Sequence, residues 1–205
     1  MNILVFDTCL DKMYVAVAQD DKILSSKIVT NKDNKYHSAF LISTIKEMLK
    51  ENGLTPKDIN AIGTNVGPGS FTGIRACTTV ARIMAQQLNL PAVGISSLEI
   101  LAKLNKTSKP TIVALDARKN SAYLYLNGEI QGAVQLDKVK EILEKENYNL
   151  ITDDKLQNIL GGTSYQSEGH NLGEILAHLA YEKLKNSSCK WQELKPLYIQ
   201  PPPMG

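Results

Sequence analysis

Apolar residues follow helical spacing over two long stretches of this chain and strand-like spacing over several short ones. After a short apolar run at 61–64, apolar side chains recur every three or four residues until Asn89 and Pro91, which predicts an amphipathic helix that ends there. They are Ile74, Cys77, Ala81, Met84 and Leu88. A second stripe between residues 38 and 50 predicts another helix, and it contains Leu41, Ile42, Ile45, Met48 and Leu49.

The chain also contains a faint internal duplication of short strands. In each copy an apolar run ends in an aspartate, Asp7 or Asp116, and a second apolar run follows with a tyrosine at the same distance, Tyr14 or Tyr123. Turn signals at 20–21 and 127–128 then predict hairpin turns that lead to a third strand in each copy, so we expect the first three strands of each unit to run antiparallel. Two such units separated by helices predict an α/β fold with two related lobes facing one another across a cleft.

We place lobe I at residues 1–102, with a C-terminal helix at about 171–185 packing back on the core, and a shortened lobe II at residues 103–205. The length suits two small lobes, and 43% hydrophobic residues are enough for a full core.

A glycine-rich run at residues 65–75 lies between the apolar run at 61–64 and the long helix. Gly67, Gly69 and Gly73 let the backbone turn sharply and approach a neighbour closely, and the helix that follows offers unpaired N–H groups. Such a loop holds an anion, seats the backbone of a partner, or is a tight strand-to-helix turn packed against its own chain. The residues alone leave these alternatives open.

Three generic signatures do not fit this loop. A P-loop needs Lys and then Ser or Thr after its last glycine, but Gly73 is followed by Ile74 and Arg75, and the glycines are spaced too widely for a Rossmann fingerprint. A nucleophile elbow needs glycines on both sides of its serine, whereas Ser70 has Pro68 two positions before it and Thr72 two positions after it. We therefore interpret Ser70 as a loop or helix-cap residue.

The stretch from residue 65 to residue 99 closely resembles the TsaB family, also called YeaZ, whose bacterial members are associated with threonylcarbamoyl-adenosine modification of tRNA. The matching runs are GPGSFTGIR at 67–75 and GISSLE at 94–99. Shorter matches lie at 3–8, 37–38, 115–118 and 196–198, so the resemblance covers nearly the whole chain. It implies the actin-like ATPase, or ASKHA, fold, with two lobes of duplicated βββαβα-type units.

In that superfamily the loops after the first strand of each lobe approach the phosphates of ATP. The resemblance therefore implies a set of possible anion or nucleotide contacts: Asp7, Thr8, Gly67, Gly69, Ser70, Gly73, Asp116 and Arg118. The alternative is that each aspartate only caps backbone N–H groups at a strand end. Since no glycine-rich phosphate loop follows either aspartate, we expect the ATPase architecture to be retained rather than ATPase chemistry, with no catalytic residue in this chain.

We also expect no metal. The catalytic relative of this family, TsaD, carries a paired-histidine motif of the H-x-x-x-H kind, but His37, His170 and His178 never occur at that spacing. The protease activity once ascribed to this superfamily therefore has no residues to support it.

In TsaB proteins, as the resemblance implies, the first long helix and the loop helix pair with those of TsaD, or of another TsaB, in a helical bundle. The interface candidates here are His37, Phe40, Leu41, Ile45, Arg75 and Arg82. Two alternatives stay open. The apolar stripe is plain core where a helix packs on a sheet, and the arginines are either structural or part of an anion site.

Cysteine usage and charge indicate the compartment and limit the partners. Cys9, Cys77 and Cys189 are odd in number and widely scattered, which favours a reducing cytoplasm, and the sequence shows neither a leader nor a run long enough to span a membrane. A net charge of +2 gives no large basic field, so we expect contact with tRNA only through a complex.

The function that the resemblance implies is a non-catalytic scaffold that binds TsaD and, with TsaE, supports transfer of threonylcarbamoyl to adenosine 37 of tRNA. Alone, such a chain can also pair with a second copy of itself. No intrinsic cofactor is expected, because the ATP that the complex uses is bound by the partners. The alternative is a free-standing enzyme of the same fold, a phosphotransferase or a metallopeptidase, which would need phosphate loops or metal ligands that the sequence does not show.

Overall fold

The computed structural model describes residues 1–30, 37–167 and 169–200, without the side chains of His37 and Ser38. The chain forms two compact units. The first comprises Met1–Ser97 and Asn171–Leu197, and the second comprises Leu98–His170 together with the chain from Tyr198 onward. The division thus lies between Ser97 and Leu98, whereas the boundary expected from the sequence lies after residue 102.

The first unit is built on a five-stranded mixed sheet. Its strands are β1 (Asn2–Asp7), β2 (Met13–Gln19), β3 (Lys22–Val29), β4 (Ala61–Asn65) and β5 (Ala92–Ile95), in the order β3-β2-β1-β4-β5. The first three strands run antiparallel to one another, whereas β4 and β5 continue the sheet in parallel. The antiparallel start predicted from the duplicated pattern is therefore confirmed.

Helices cover both faces of this sheet. They are α1 (Leu41–Glu51), preceded by a 3-10 helix at His37–Phe40, then α2 (Phe71–Leu88) and α6 (Leu172–Asn186), while a 3-10 helix at Trp191–Glu193 packs against α2. Neighbouring residues of a strand point to opposite faces, so Ile62 lies in the core with α1 and α2, whereas Gly63 faces Ala180 of α6. Burial on both faces explains why β1 and β2 read as nearly continuous apolar runs.

The second unit repeats this plan in shorter form. It contains β6 (Thr111–Asp116), β7 (Ser121–Leu126), β8 (Glu129–Gln135), α4 (Leu136–Leu143), β9 (Asn149–Thr152), α5 (Asp154–Leu160) and β10 (Thr163–Ser164), in the sheet order β10-β9-β6-β7-β8. The first three strands are again antiparallel. Asn127 and Gly128 both have positive φ and form the predicted hairpin turn between β7 and β8.

Two short helices complete the chain, α3 (Ser97–Ala102) and a 3-10 helix at Pro56–Asp58. The long helix predicted from the apolar spacing is α2, and it ends where the sequence indicates, with Asn89 in the left-handed conformation at its C-cap. Among the helices that the structure describes, none is long and apolar enough to cross a membrane.

Candidate functional site

The glycine-rich loop packs directly on the backbone at the end of β1. A Cβ atom on Gly69 would collide with the carbonyl oxygen of Cys9, and one on Gly73 would collide with the carbonyl oxygen of Thr8. The N–H of Ser70 donates to the same Cys9 carbonyl at 2.7 Å. Contact with the chain's own backbone therefore requires glycine at two of the three loop positions. Of the alternatives left open by the sequence, this contact supports a tight strand-to-helix turn packed against its own chain.

Ser70 caps α2, as the sequence analysis expected. Its Oγ accepts from the N–H of Gly73 at 3.3 Å, and its carbonyl accepts from the N–H of Ile74 at 2.8 Å. This is the usual role of serine at a helix start, and the hydroxyl oxygen is used as an acceptor for a backbone N–H of the same chain.

Asp7 is 1% exposed and its carboxylate is held by two donors. One oxygen accepts from the N–H of Cys9 at 2.6 Å and the other from the side-chain amide of Asn65 at 2.8 Å. Burial raises the pKa of Asp7 to about 6, although the hydrogen bonds from Asn65 and Cys9 act in the opposite direction. The capping role considered from the sequence is thus present, with Cys9 as the capped residue.

Asn65 connects this carboxylate to the glycine loop. Its Nδ2 also donates to the Oγ of Ser97 at 2.9 Å, and its Oδ1 accepts from the N–H of Gly67 at 2.8 Å. The N–H of Ser97 in turn donates to the carbonyl of Gly67 at 2.8 Å. Asn65 and Ser97 are both fully buried, so the network fixes the path of the loop between β4 and α2.

Thr8 and two cysteines form the rest of this buried cluster. The N–H of Thr8 donates to Cys77 Sγ at 3.2 Å, and its hydroxyl donates to the carbonyl of Gly73 at 3.0 Å. Burial raises the pKa of the Cys9 thiol well above its usual value.

A carboxylate oxygen of Asp7 and the sulfurs of Cys9 and Cys77 lie within 4.8 Å of one another, close enough for a metal ion. Each already has a protein partner, however, because Cys9 Sγ donates to the carbonyl of Asn65 at 3.5 Å and Cys77 accepts from Thr8. The cluster is therefore satisfied by hydrogen bonds within the chain.

In the second unit, the end of β6 carries the other candidate residues. One oxygen of Asp116 accepts from the N–H of Arg118 at 3.1 Å, and the other forms an ion pair of 2.7 Å with Lys155. The N–H of Asp116 donates to Asp153, which also caps α5. Arg118 is exposed and has a φ of 61°, the first of three successive left-handed residues that connect β6 to β7.

The helix residues proposed as an interface lie in two different environments. Leu41 and Ile45 are 0% and 5% exposed and belong to the core, so they do not face a partner. The exposed apolar side chains of this region are Phe40 and Ile42, at 41% and 68%. His37 begins the 3-10 helix, and its side chain lies outside the described part of the chain. The apolar stripe predicted from the sequence is thus mainly core.

The two arginines of α2 also differ. The guanidinium of Arg75 lies 4.0 Å from the centroid of the Phe71 ring on the exposed side of the helix. Arg82 instead donates to the carbonyl of Leu194 at 2.8 Å and lies over Trp191, which ties the C-terminal segment to α2. Of the alternatives for Arg82, the structure supports the structural one.

Sequence reasoning did not identify four of the residues that organise these sites: Asn65, Ser97, Asp153 and Lys155. Asn65 was recognised only as the first residue of the loop, because an amide carries no signal for a partner that is distant in sequence. Asp153 precedes a helix at an N-cap position, which is a local signal that could have identified it.

Three comparisons relate the chain to known proteins. The family model described as "TsaD: tRNA N6-adenosine threonylcarbamoyltransferase" matches residues 21–167. The tRNA threonylcarbamoyladenosine biosynthesis protein TsaB of Buchnera aphidicola subsp. Schizaphis graminum is 29% identical over 156 residues, which is 70% of this chain and 73% of that protein. The protein of the same name from Bacillus subtilis is 31% identical over 139 residues, 65% of this chain and 60% of that protein.

A solved structure from Pseudomonas aeruginosa, described as an uncharacterized protein with similarity to peptidase YEAZ, matches with a TM-score of 0.76 at 20% identity. The match covers 97% of this chain and 99% of that chain. Two mixed sheets with the same antiparallel start, together with this match, confirm the predicted two-lobed actin-like fold.

Proposed function

Because this chain belongs to the TsaB (YeaZ) family, whose curated members are named for the biosynthesis of threonylcarbamoyladenosine in tRNA, we propose that it is a non-catalytic subunit of that modification machinery. Its role is to bind TsaD and hold that enzyme in its competent form. TsaE completes the assembly, and tRNA is reached only through the complex.

The observation that carries this proposal is a set of large apolar side chains exposed on α1, on α2 and on the 3-10 helix that precedes α1. Phe40, Ile42, Phe71 and Ile83 are 37–68% exposed. On α2 the exposed positions Phe71, Arg75, Thr79 and Ile83 follow one another at four-residue intervals, so they share one side of the helix. An apolar helix side with one stacked arginine is the kind of surface that packs against a partner's helix.

The state of the two candidate carboxylates supports a non-catalytic role. Asp7 is buried and accepts from Cys9 and Asn65, while Asp116 is paired with Lys155. Gly69 and Gly73 of the loop are used for contact with the chain's own backbone. We therefore propose that the protein has no intrinsic cofactor and that its partners bind the ATP used by the complex.

The test is co-elution with TsaD from a sizing column, using Ile→Glu substitutions at exposed positions. Ile42→Glu and Ile83→Glu should abolish co-elution, because a charge buried without a partner at an interface costs roughly 2–5 kcal/mol. Ile159→Glu is the matched control, since Ile159 is 45% exposed but lies on α5 of the second unit. It should co-elute as wild type does.

Thermal melting of each variant separates loss of binding from loss of folding. All three isoleucines are exposed, so the variants should melt within a few degrees of wild type. If Ile42→Glu and Ile83→Glu both still co-elute with TsaD, these helices are not the docking surface. The same column run without TsaD reports whether the isolated chain forms a homodimer and whether that homodimer uses this surface.

A further inference from the structure

A cavity of about 320 Å³ opens on the first unit, and none of its described lining residues belongs to α2. Its apolar wall is formed by Val66 directly after β4, Val93 within β5, and Leu194 of the C-terminal segment. The volume falls at the lower end of the range for sites that bind small molecules, roughly 300–1,000 Å³. Neither the family resemblance nor the proposed function assigns a role to it.

The polar wall of this cavity is cationic. Lys183, Lys190 and Lys195 all line it, together with the hydroxyl-bearing Ser187 and Ser188. Lys183 Nζ donates to the carbonyl of Gly94 at 3.1 Å, which holds its ammonium group at the wall and leaves two of its three protons for another acceptor.

Among the described residues, no ion pair reaches Lys183, Lys190 or Lys195. Within the described lining there is a single carboxylate, that of Glu193, so three lysines and one glutamate leave a net charge of +2 around the cavity. A dianion would balance that charge.

We propose that this cavity binds a small phosphate monoester. The phosphate, which carries about −1.5 to −2 charges at neutral pH, lies among the three lysines and accepts from the hydroxyl of Ser188, because the Ser187 hydroxyl already donates to the carbonyl of Lys183 at 2.7 Å. The organic part of the ligand covers Val66, Val93 and Leu194. This proposal is independent of the proposed scaffold function, because neither the cavity nor its lining includes a residue of the exposed helix surface.

The thiol of Cys189 can report whether a ligand occupies this cavity. Cys189 lines the same cavity and is half-buried, whereas Cys9 and Cys77 are 2% and 0% exposed. Alkylation by iodoacetamide, followed by mass spectrometry of each cysteine peptide, therefore measures access to the cavity, with the two buried thiols as internal controls. The probe is glycerol 3-phosphate at millimolar concentration, compared with glycerol and with sodium chloride at the same ionic strength.

We expect glycerol 3-phosphate to slow alkylation of Cys189 several-fold, and glycerol and sodium chloride to leave it unchanged. Lys183→Ala should raise the concentration needed for protection roughly tenfold, because it removes a charge-assisted hydrogen bond. Lys185→Ala is the matched control, since Lys185 lies on the same last turn of α6 but outside the lining. It should behave as wild type.

Equilibrium dialysis with labelled glycerol 3-phosphate gives a second readout that does not depend on the thiol. Binding that is lost in Lys183→Ala and kept in Lys185→Ala supports the site even where the ligand leaves Cys189 accessible. The proposal is overturned if dialysis detects no binding, if both lysine variants bind equally, or if succinate competes as well as the phosphate ester does. The last result would identify a dicarboxylate site instead.

Discussion

The side-chain amide of Asn65 donates to the carboxylate of Asp7 at 2.8 Å, and both residues are at most 1% exposed. The same Asn65 side chain holds the N–H of Gly67 and the hydroxyl of Ser97, so one buried amide positions both the end of β1 and the start of the glycine loop. These hydrogen bonds fix the position of the glycine loop relative to the end of β1.

The buried carboxyl predicts a defined pH dependence of stability. Burial raises the pKa of Asp7 from 3.8 to about 6, so between these values the folded state holds a proton that the unfolded state has lost. Below the lower value both states are protonated. The unfolding free energy of wild type minus that of Asp7→Asn should therefore fall as pH rises from about 4 to about 6, by roughly 3 kcal/mol at most.

Urea unfolding of both proteins at steps of pH across this range measures that difference. Taking the difference cancels carboxylates elsewhere whose pKa changes in the other direction, such as Asp58, whose hydrogen bonds from Thr55 lower its pKa. A difference that stays flat or rises with pH would contradict the assignment.

A second prediction concerns the contact between the glycine loop and β1. Alanine has a higher helix propensity than glycine by about 1 kcal/mol, so Gly73→Ala would stabilise an unobstructed helix. Here the added methyl group meets the carbonyl oxygen of Thr8, which is rigid backbone, and we expect a net loss of roughly 2 kcal/mol or more. Gly169→Ala is the control, because no atom from the described part of the chain beyond its immediate neighbours lies within 4 Å of its Cβ position. Denaturant unfolding should show that variant within about 0.5 kcal/mol of wild type.

A third prediction concerns the bond between α2 and the C-terminal segment. Arg82→Ala removes the donor to the carbonyl of Leu194 and the contact with Trp191, and it should lower the unfolding free energy by about 1–2 kcal/mol. It should also increase cleavage between residues 187 and 197 in limited proteolysis, because that segment loses its anchor. Arg82→Lys keeps the charge but not the planar fork, and we expect an intermediate effect. Equal proteolysis of all three proteins would show that Arg82 is not the anchor.

The parts of the fold that sequence reasoning predicted correctly depend on local pattern. The hairpin at Asn127 and Gly128, the antiparallel first three strands of each unit and the end of α2 at Asn89 all follow from residues close together in the chain. The links between Asn65 and Asp7, or between Thr8 and Cys77, join residues about 60 to 70 positions apart. No local signal encodes such pairs, since they arise only when the fold brings β4 and α2 against the end of β1.

The same limit explains why the orientation of α1 could not be predicted from the sequence. An apolar stripe shows that a helix has a covered side, but not whether its own sheet or another protein covers each position. Leu41 and Ile45 turned out to pack against the sheet, while Ile42, in the same stripe, is exposed.

The two isoleucines of α1 provide the sharpest test of that orientation. Ile45 is 5% exposed and Ile42 is 68% exposed, although they lie one helical turn apart and have identical side chains. Glutamate at position 45 would place a carboxylate in the core of the first unit, where either the charge or its neutralisation is costly. We expect Ile45→Glu to lose at least about 3 kcal/mol of unfolding free energy and to bind TsaD poorly only because it unfolds. Ile42→Glu should keep wild-type stability in urea yet fail to co-elute with TsaD. If instead Ile45→Glu melts like wild type, α1 is rotated so that Ile45 faces solvent, and Leu41 and Ile45 rather than Ile42 form the surface that contacts the partner.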